Sequence, residues 1–482
     1  MSNALTLDPA PAILIPKRPR TGRTKSAVHR LALAVVWLTV ALSFLVFSEP
    51  APSDALTMGL FVLLPVIGLF DGKRGLTAGF ALWLVVAACL AISCFLARDA
   101  AEATLHSTVT FYLYGACLLF AGFIARNPLA HTRLVLNAYF TATVLAAALG
   151  VVGYLDLFPG AFDLLTRYGR ATGTFKDPNV FGPFLIPGLL MALHLWLVRP
   201  IARGILPLAA AALITLAILF SFSRGAWAAT AIALAIYGYV YLYSAERNIQ
   251  RLKLGGLVLL GAGILGLLLA VALQSDGVAQ LLEERAALTQ PYDEGPEGRF
   301  GGQQKAFALI LENPLGIGGQ TFTHFYHHEE AHNVYLSMFM NAGWLGGMVY
   351  LIVCLGTLVL GFRHALRPTQ TQLLFVIAYA ALAGNIIEGY LIDTDHWRHF
   401  YLLMGVCWGL MASDTRVKRK ARIVRDVRPV LMRAILIVPP SKRGVRITGR
   451  IPKRLPIPLG RLAHPRRRPG PRRQNRIVGG SI

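Results

Sequence analysis

The 482-residue sequence is 55% hydrophobic and only 15% charged, more apolar surface than one soluble core of that length can bury, which excludes a water-soluble globular enzyme. The formal net charge of +23 is concentrated in one place, because Asp414 to Ile482 holds 21 Lys and Arg against 2 Asp and Glu. The remaining residues carry +4, which excludes a folded surface basic enough to hold nucleic acid.

Residues 1–30 form a basic segment (Lys17, Arg18, Arg20, Arg23, Lys25, Arg30). Twelve apolar runs follow, at 31–48, 55–71, 75–97, 104–125, 132–157, 179–198, 205–222, 225–244, 254–274, 333–362, 370–392 and 397–413. Each is near the ~20 residues a helix needs to cross ~30 Å of hydrocarbon. The pattern predicts an all-α polytopic membrane protein of about 12 transmembrane helices, with one large loop at 275–331 between spans nine and ten. The first run follows basic residues, as a signal peptide's does, but its length and the eleven runs behind it predict a retained helix. The tenth is long enough to begin outside the bilayer or to break near Gly343 to Gly347. All five cysteines fall inside apolar runs without metal-ligand spacing, so neither a disulfide framework nor a zinc site is expected from them.

Orientation follows from the basic residues, since short loops rich in them stay cytoplasmic. With the N-terminus inside, 38 Lys and Arg fall inside and 9 outside, which predicts cytoplasmic termini. The segment 414–482, with "HPRRRPGPRR" near its end, reads as a disordered cytoplasmic tail held near anionic lipid headgroups. It has no interleaved aromatics for base stacking, so membrane lipids and not nucleic acid are its expected partner.

Four features cluster on the outer face. In "RYGRATGTFKDPNVFG" (167–182), Asp177 and Pro178 read as the N-cap and first position of span six, with Asn179 following. Arg170 and Lys176 flank that helix start, which suits an anion; an ordinary capped helix with loop charges is the plainer alternative. In "SFSRGAW" (221–227), Arg224 stands in a turn too short to leave the interface and needs a partner, either a phosphate or lipid headgroups. In "EGRFGGQQKAFALILENPLGIGG" (297–319), Arg299 opens an amphipathic stretch (Phe300, Ala306, Phe307, Ile310) ending at Asn313-Pro314; it also suits the bilayer surface. Gly316, Gly318 and Gly319 then permit a tight backbone path.

The fourth feature, "HHEEAHNVY" (327–335), contains H-E-x-x-H at His328, Glu329 and His332. A zinc protease needs both histidines on one helical face, but this stretch is polar and irregular, and the apolar helix starts only after His332. His324, His327 and His328 read as surface-loop residues. His332, at a helix start, is expected to stay neutral and able to accept a proton, as a general base must. Glu388 and Asp393 read either as functional partners or as counter-ions to Arg398.

Taken in order, Arg170 with "GTFKDPN", "SRG" opening a span, "GR" before an amphipathic helix, "NPLGIGG" and "HN" at a helix start resemble the O-antigen ligase and polymerase family, directly over residues 165–350. The resemblance implies a GT-C-like transmembrane domain over 31–413 in the bacterial inner membrane, with a periplasmic active site and no metal or other cofactor. The implied reaction moves a whole glycan from undecaprenyl pyrophosphate to an acceptor hydroxyl on a lipid A core sugar or another lipid-linked glycan. Arg170, Lys176, Arg224 and Arg299 are then candidates for the pyrophosphate and His332 for the base. Asp177, Asn179, Asn333 and Tyr335 would support them, and Glu329, Glu330 or His328 would assist or replace the base. A lipid-linked glycan flippase or other transporter has a similar span count, but its charges belong at the bilayer midplane instead of the outer rim.

Overall fold

A computed structural model describes residues 22–244, 248–272, 274 and 295–413. The expectations for 1–21, for the first part of the large loop (275–294) and for the basic tail (414–482) lie outside the described residues.

The chain runs α1 (Gly22–Ala41), α2 (Pro52–Val66), α3 (Arg74–Leu96), α4 (Ala100–Arg126), α5 (Pro128–Tyr154) and α6 (Ala161–Leu165), then a hairpin of β1 (Thr166–Arg167) and β2 (Arg170–Ala171). It continues with α7 (Pro178–Val198), α8 (Ile201–Phe220), α9 (Arg224–Ser244), α10 (Asn248–Ala272), α11 (Arg299–Glu312), α12 (Thr321–Phe325), α13 (Val334–Ala365), α14 (Gln372–Glu388) and α15 (Arg398–Ser413). A helix occupies each of the twelve apolar runs. Among the described residues, seven of them (α3, α4, α5, α7, α8, α9 and α13) are long and apolar enough to cross a membrane. Helices such as α2 (15 residues), α14 (17) and α15 (16) fall short of the ~20 a full crossing takes.

Small residues set the closest helix contacts. On α15, a Cβ at Gly405 or Gly409 would stand 2.5 Å from the Cys117 or Ala121 carbonyl of α4, so this spacing of four lets the two backbones meet. An aromatic cluster fills the space beside them: Trp83 stacks on Tyr114 at 4.1 Å and leans on Tyr350 and Tyr401. The opposite faces leave Phe95 and Leu206 more than three-quarters exposed, as side chains bordering lipid would be.

Of the two readings its length allowed, the tenth run carries the break. Gly343 takes φ 68° and ψ −175° inside α13, which interrupts the helical hydrogen-bond ladder. The freed groups are satisfied by the "NPLGIG" segment: Ile317 N donates to Met340 O (2.7 Å) and Trp344 N to Pro314 O (2.9 Å), while the Trp344 side chain adds a bond from Nε1 to Ile310 O of α11 (2.7 Å). Gly316 has φ 88° and lies so close that a Cβ would be 2.7 Å from Gly343 N. Broken helix and glycine loop are therefore two halves of one joint.

Candidate active site

The hairpin turns on Tyr168 and Gly169, both at positive φ (55° and 66°), the two-residue turn that matches strand twist. It delivers Arg170 into the protein, 8% exposed, where Nε donates to Ser221 O (2.7 Å) and Nη2 to Asn179 Oδ1 (2.8 Å). Asp177 caps α7 by accepting from Asn179 N at 2.6 Å, with Pro178 at the first helical position, as the sequence predicts. Lys176 is exposed and pairs with Glu49 (3.2 Å). Arg224 opens α9, and beside it Gly225 has no room for a Cβ because the Glu388 carboxylate occupies that space.

The second group is built on the approach to α13. Asn333 is its N-cap, accepting from Tyr335 N (3.1 Å) and Leu336 N (3.3 Å). His332 precedes the cap at φ 49°, a conformation non-glycine residues hold only when their surroundings impose it. Arg299 Nη2 donates to the His332 carbonyl (3.3 Å), and the Asp393 carboxylate, which accepts from Ser337 Oγ (2.5 Å), lies near the His332 backbone N–H. Arg299 thus ties the loop at the His332 carbonyl, with Asp393 on the N–H side. Its side chain is one-third exposed, with Nε2 3.2 Å from Glu329 Oε2.

Residues 326–333 contain no helix, so His328 and His332 do not share a helical face and the zinc-protease geometry is absent. His324 and His328 are exposed as expected, but His327 is not a surface residue. It is 5% exposed, with Nε2 donating to Glu297 O (3.1 Å) and Nδ1 accepting from Glu329 N (3.3 Å). The Tyr335 hydroxyl is engaged by the Ile386 carbonyl (2.5 Å) and so ties α13 to α14. Arg398 pairs neither with Glu388 nor with Asp393: it forms a two-pronged bond to Asp54 of α2, 2.8 Å at each contact. Glu388 is 3% exposed, and neither carboxylate oxygen has a hydrogen-bond partner among the described residues.

The two groups meet through a short relay. Ser221, held by Arg170, leads into Arg224; Gly225 abuts Glu388; and Gly389 accepts from Val334 N (2.9 Å), next to Asn333. At this end of the bundle lies a cavity of about 280 Å³ bordered by Lys176, Asp177, Gln320, Glu330, Asp393 and Asp395. Arg170, Arg224, Arg299 and His332 stand outside its lining. Glu330 is pushed up to about 8 by burial and by the Asp393 and Asp395 carboxylates. Asp393 is pushed up to about 7 by burial and Asp395, although Ser337 and the His332 N–H favour its charged form. Of this acidic wall, sequence reasoning found Glu330 and Asp393 and missed Asp395. The available signal was "DTDHWRH" (393–399), two Asp and two His ahead of an apolar run.

Residues 209–351 match a family model described as O-antigen ligase. The matched segment begins in α8, contains Arg224, Arg299, the glycine loop and His332, and ends just past the break in α13. A comparison with curated proteins finds no match.

Proposed function

We propose that this chain, whose residues 209–351 match the O-antigen ligase family model, belongs to the O-antigen ligase and polymerase family and transfers a glycan from undecaprenyl pyrophosphate to an acceptor hydroxyl at the periplasmic face of the bacterial inner membrane. The observation that carries the reading is the contact between His332 Nε2 and Glu329 Oε2 at 3.2 Å, on a loop tied down by Arg299.

With Glu329 accepting from Nε2–H, the lone pair of His332 rests on Nδ1, in the way a carboxylate fixes the tautomer of a catalytic histidine. Nδ1 takes the acceptor hydroxyl proton as the acceptor oxygen bonds to the sugar C1. The C1–oxygen bond breaks and its electron pair leaves on the lipid pyrophosphate. That leaving group is a polyanion, so arginines near it stabilise charge that grows in the transition state. Arg170, Arg224 and Arg299 fill that role, and Lys176 at the cavity edge attracts the donor. A base in this position contributes roughly 10²–10⁴-fold to such a step.

The test removes the gene in its native host and restores it with wild type or His332→Ala, following surface and lipid-linked glycans by gel and mass spectrometry. Single repeats stranded on the lipid indicate a polymerase, and long chains stranded there indicate a ligase. A glycan profile unchanged by the deletion rejects the transfer reading, and full rescue by His332→Ala rejects the base.

A further inference from the structure

We propose that His106, Asp395 and His396 bind one transition-metal ion of the zinc class, beside the cavity and independently of the transfer reading. The sequence gives no hint of this, because His106 lies on α4 and the other two lie nearly 300 positions later, on the loop before α15.

One donor atom from each residue lies within 4.8 Å of the others. Ligand atoms around a tetrahedral ion with bonds of ~2.1 Å stand about 3.4 Å apart, so small side-chain movements close the set. Two observations point to a missing ligand. First, the His106 side chain is only 9% exposed and makes no hydrogen bond among the described residues. Its Nε2 faces Asp395 Oδ2 at 3.8 Å, too far for a hydrogen bond and close to the spacing of two ligands on one ion.

Second, the tautomer of His396 is set for coordination. With the single hydroxyl proton of Thr110 on the His106 carbonyl (3.1 Å), the usual bond of a helical Thr to the preceding turn, Thr110 Oγ1 accepts from His396 Nε2 at 3.0 Å. That leaves the Nδ1 lone pair of His396 bare, and outer-shell bonds of this kind commonly orient metal-binding histidines. Charge balance favours a cation as well. Asp395 is 7% exposed beside Glu330 and Asp393, while the nearby Arg398 and Lys176 are engaged by Asp54 and Glu49. The cavity, which all three ligands border, supplies a path for the ion and a fourth, water-filled position.

A second trio, Glu297, His327 and His328, also lies within ligand distance, but His327 is already hydrogen-bonded at both nitrogens. It serves as the internal control. The experiment loads purified full-length protein in lipid nanodiscs with Zn²⁺, removes free ion by gel filtration, and measures retained metal by mass spectrometry. Wild type and His328→Ala should each retain about one equivalent, whereas His106→Ala and His396→Ala should retain less than about a tenth. Thr110→Val keeps all three ligands and guards against misfolded variants; it should weaken zinc binding about tenfold. Co²⁺ in place of Zn²⁺ should give the visible absorption of a four-coordinate site. Failure of wild type to retain zinc, or loss of binding in His328→Ala but not in His106→Ala, overturns the proposal. Neither result bears on the His332→Ala glycan phenotype.

Discussion

At the scale of single residues, the site separates groups that touch substrate from groups that hold them. Glu329→Gln keeps the shape of the side chain but weakens its hold on the His332 ring, so transfer should fall about tenfold, less than in His332→Ala, in a membrane-fraction assay. Glu330 makes a separate prediction about pH. Its carboxyl is raised to about 8 in the folded protein, so the folded state holds a proton that the unfolded state releases near 4.5. Stability should therefore fall as pH rises between those values, and a thermal melt of Glu330→Gln should lose part of that slope. His332, Asn333, Asp177 and Arg170 were legible in the sequence because helix starts and short charged turns have local signatures. The approach of Asp393 to the His332 N–H, the His106–Asp395 contact and the Asp54–Arg398 pair join residues from about 60 to nearly 350 positions apart, and no local pattern announces such pairs.

At the scale of elements, the joint between α13 and the glycine loop is the most demanding part of the fold. Gly343→Ala must put a Cβ 2.5 Å from the Pro314 carbonyl at a positive φ, and should lower unfolding stability by at least about 1 kcal/mol in a denaturant melt. Asp54→Ala should cost about 3 kcal/mol, because it leaves the Arg398 guanidinium largely buried beside α2 without its two-pronged partner. The broken helix and the amphipathic α11 were foreseen from glycine spacing and hydrophobic period. What filled the break was not, since "NPLGIGG" read in isolation is only a flexible turn.

At the scale of the whole molecule, the hydropathy pattern located every long helix, while the count of full crossings is limited by helices shorter than the bilayer. The proposed orientation predicts that alkaline phosphatase fused at Tyr168 is active and fused at Asn127 is inactive; the reverse result would invert the topology. The joint at Gly343 also has a mechanical meaning. Above it, α11, the glycine loop, the first turns of α13 and the His332 loop are bonded into one block, while Arg170 of the hairpin is bonded instead to Ser221 and Asn179. A motion that admits a long glycan would then carry the proton acceptor and Arg299 together as a jaw. The gap between this block and the Arg170 hairpin would open and close without disturbing how the base itself is aimed.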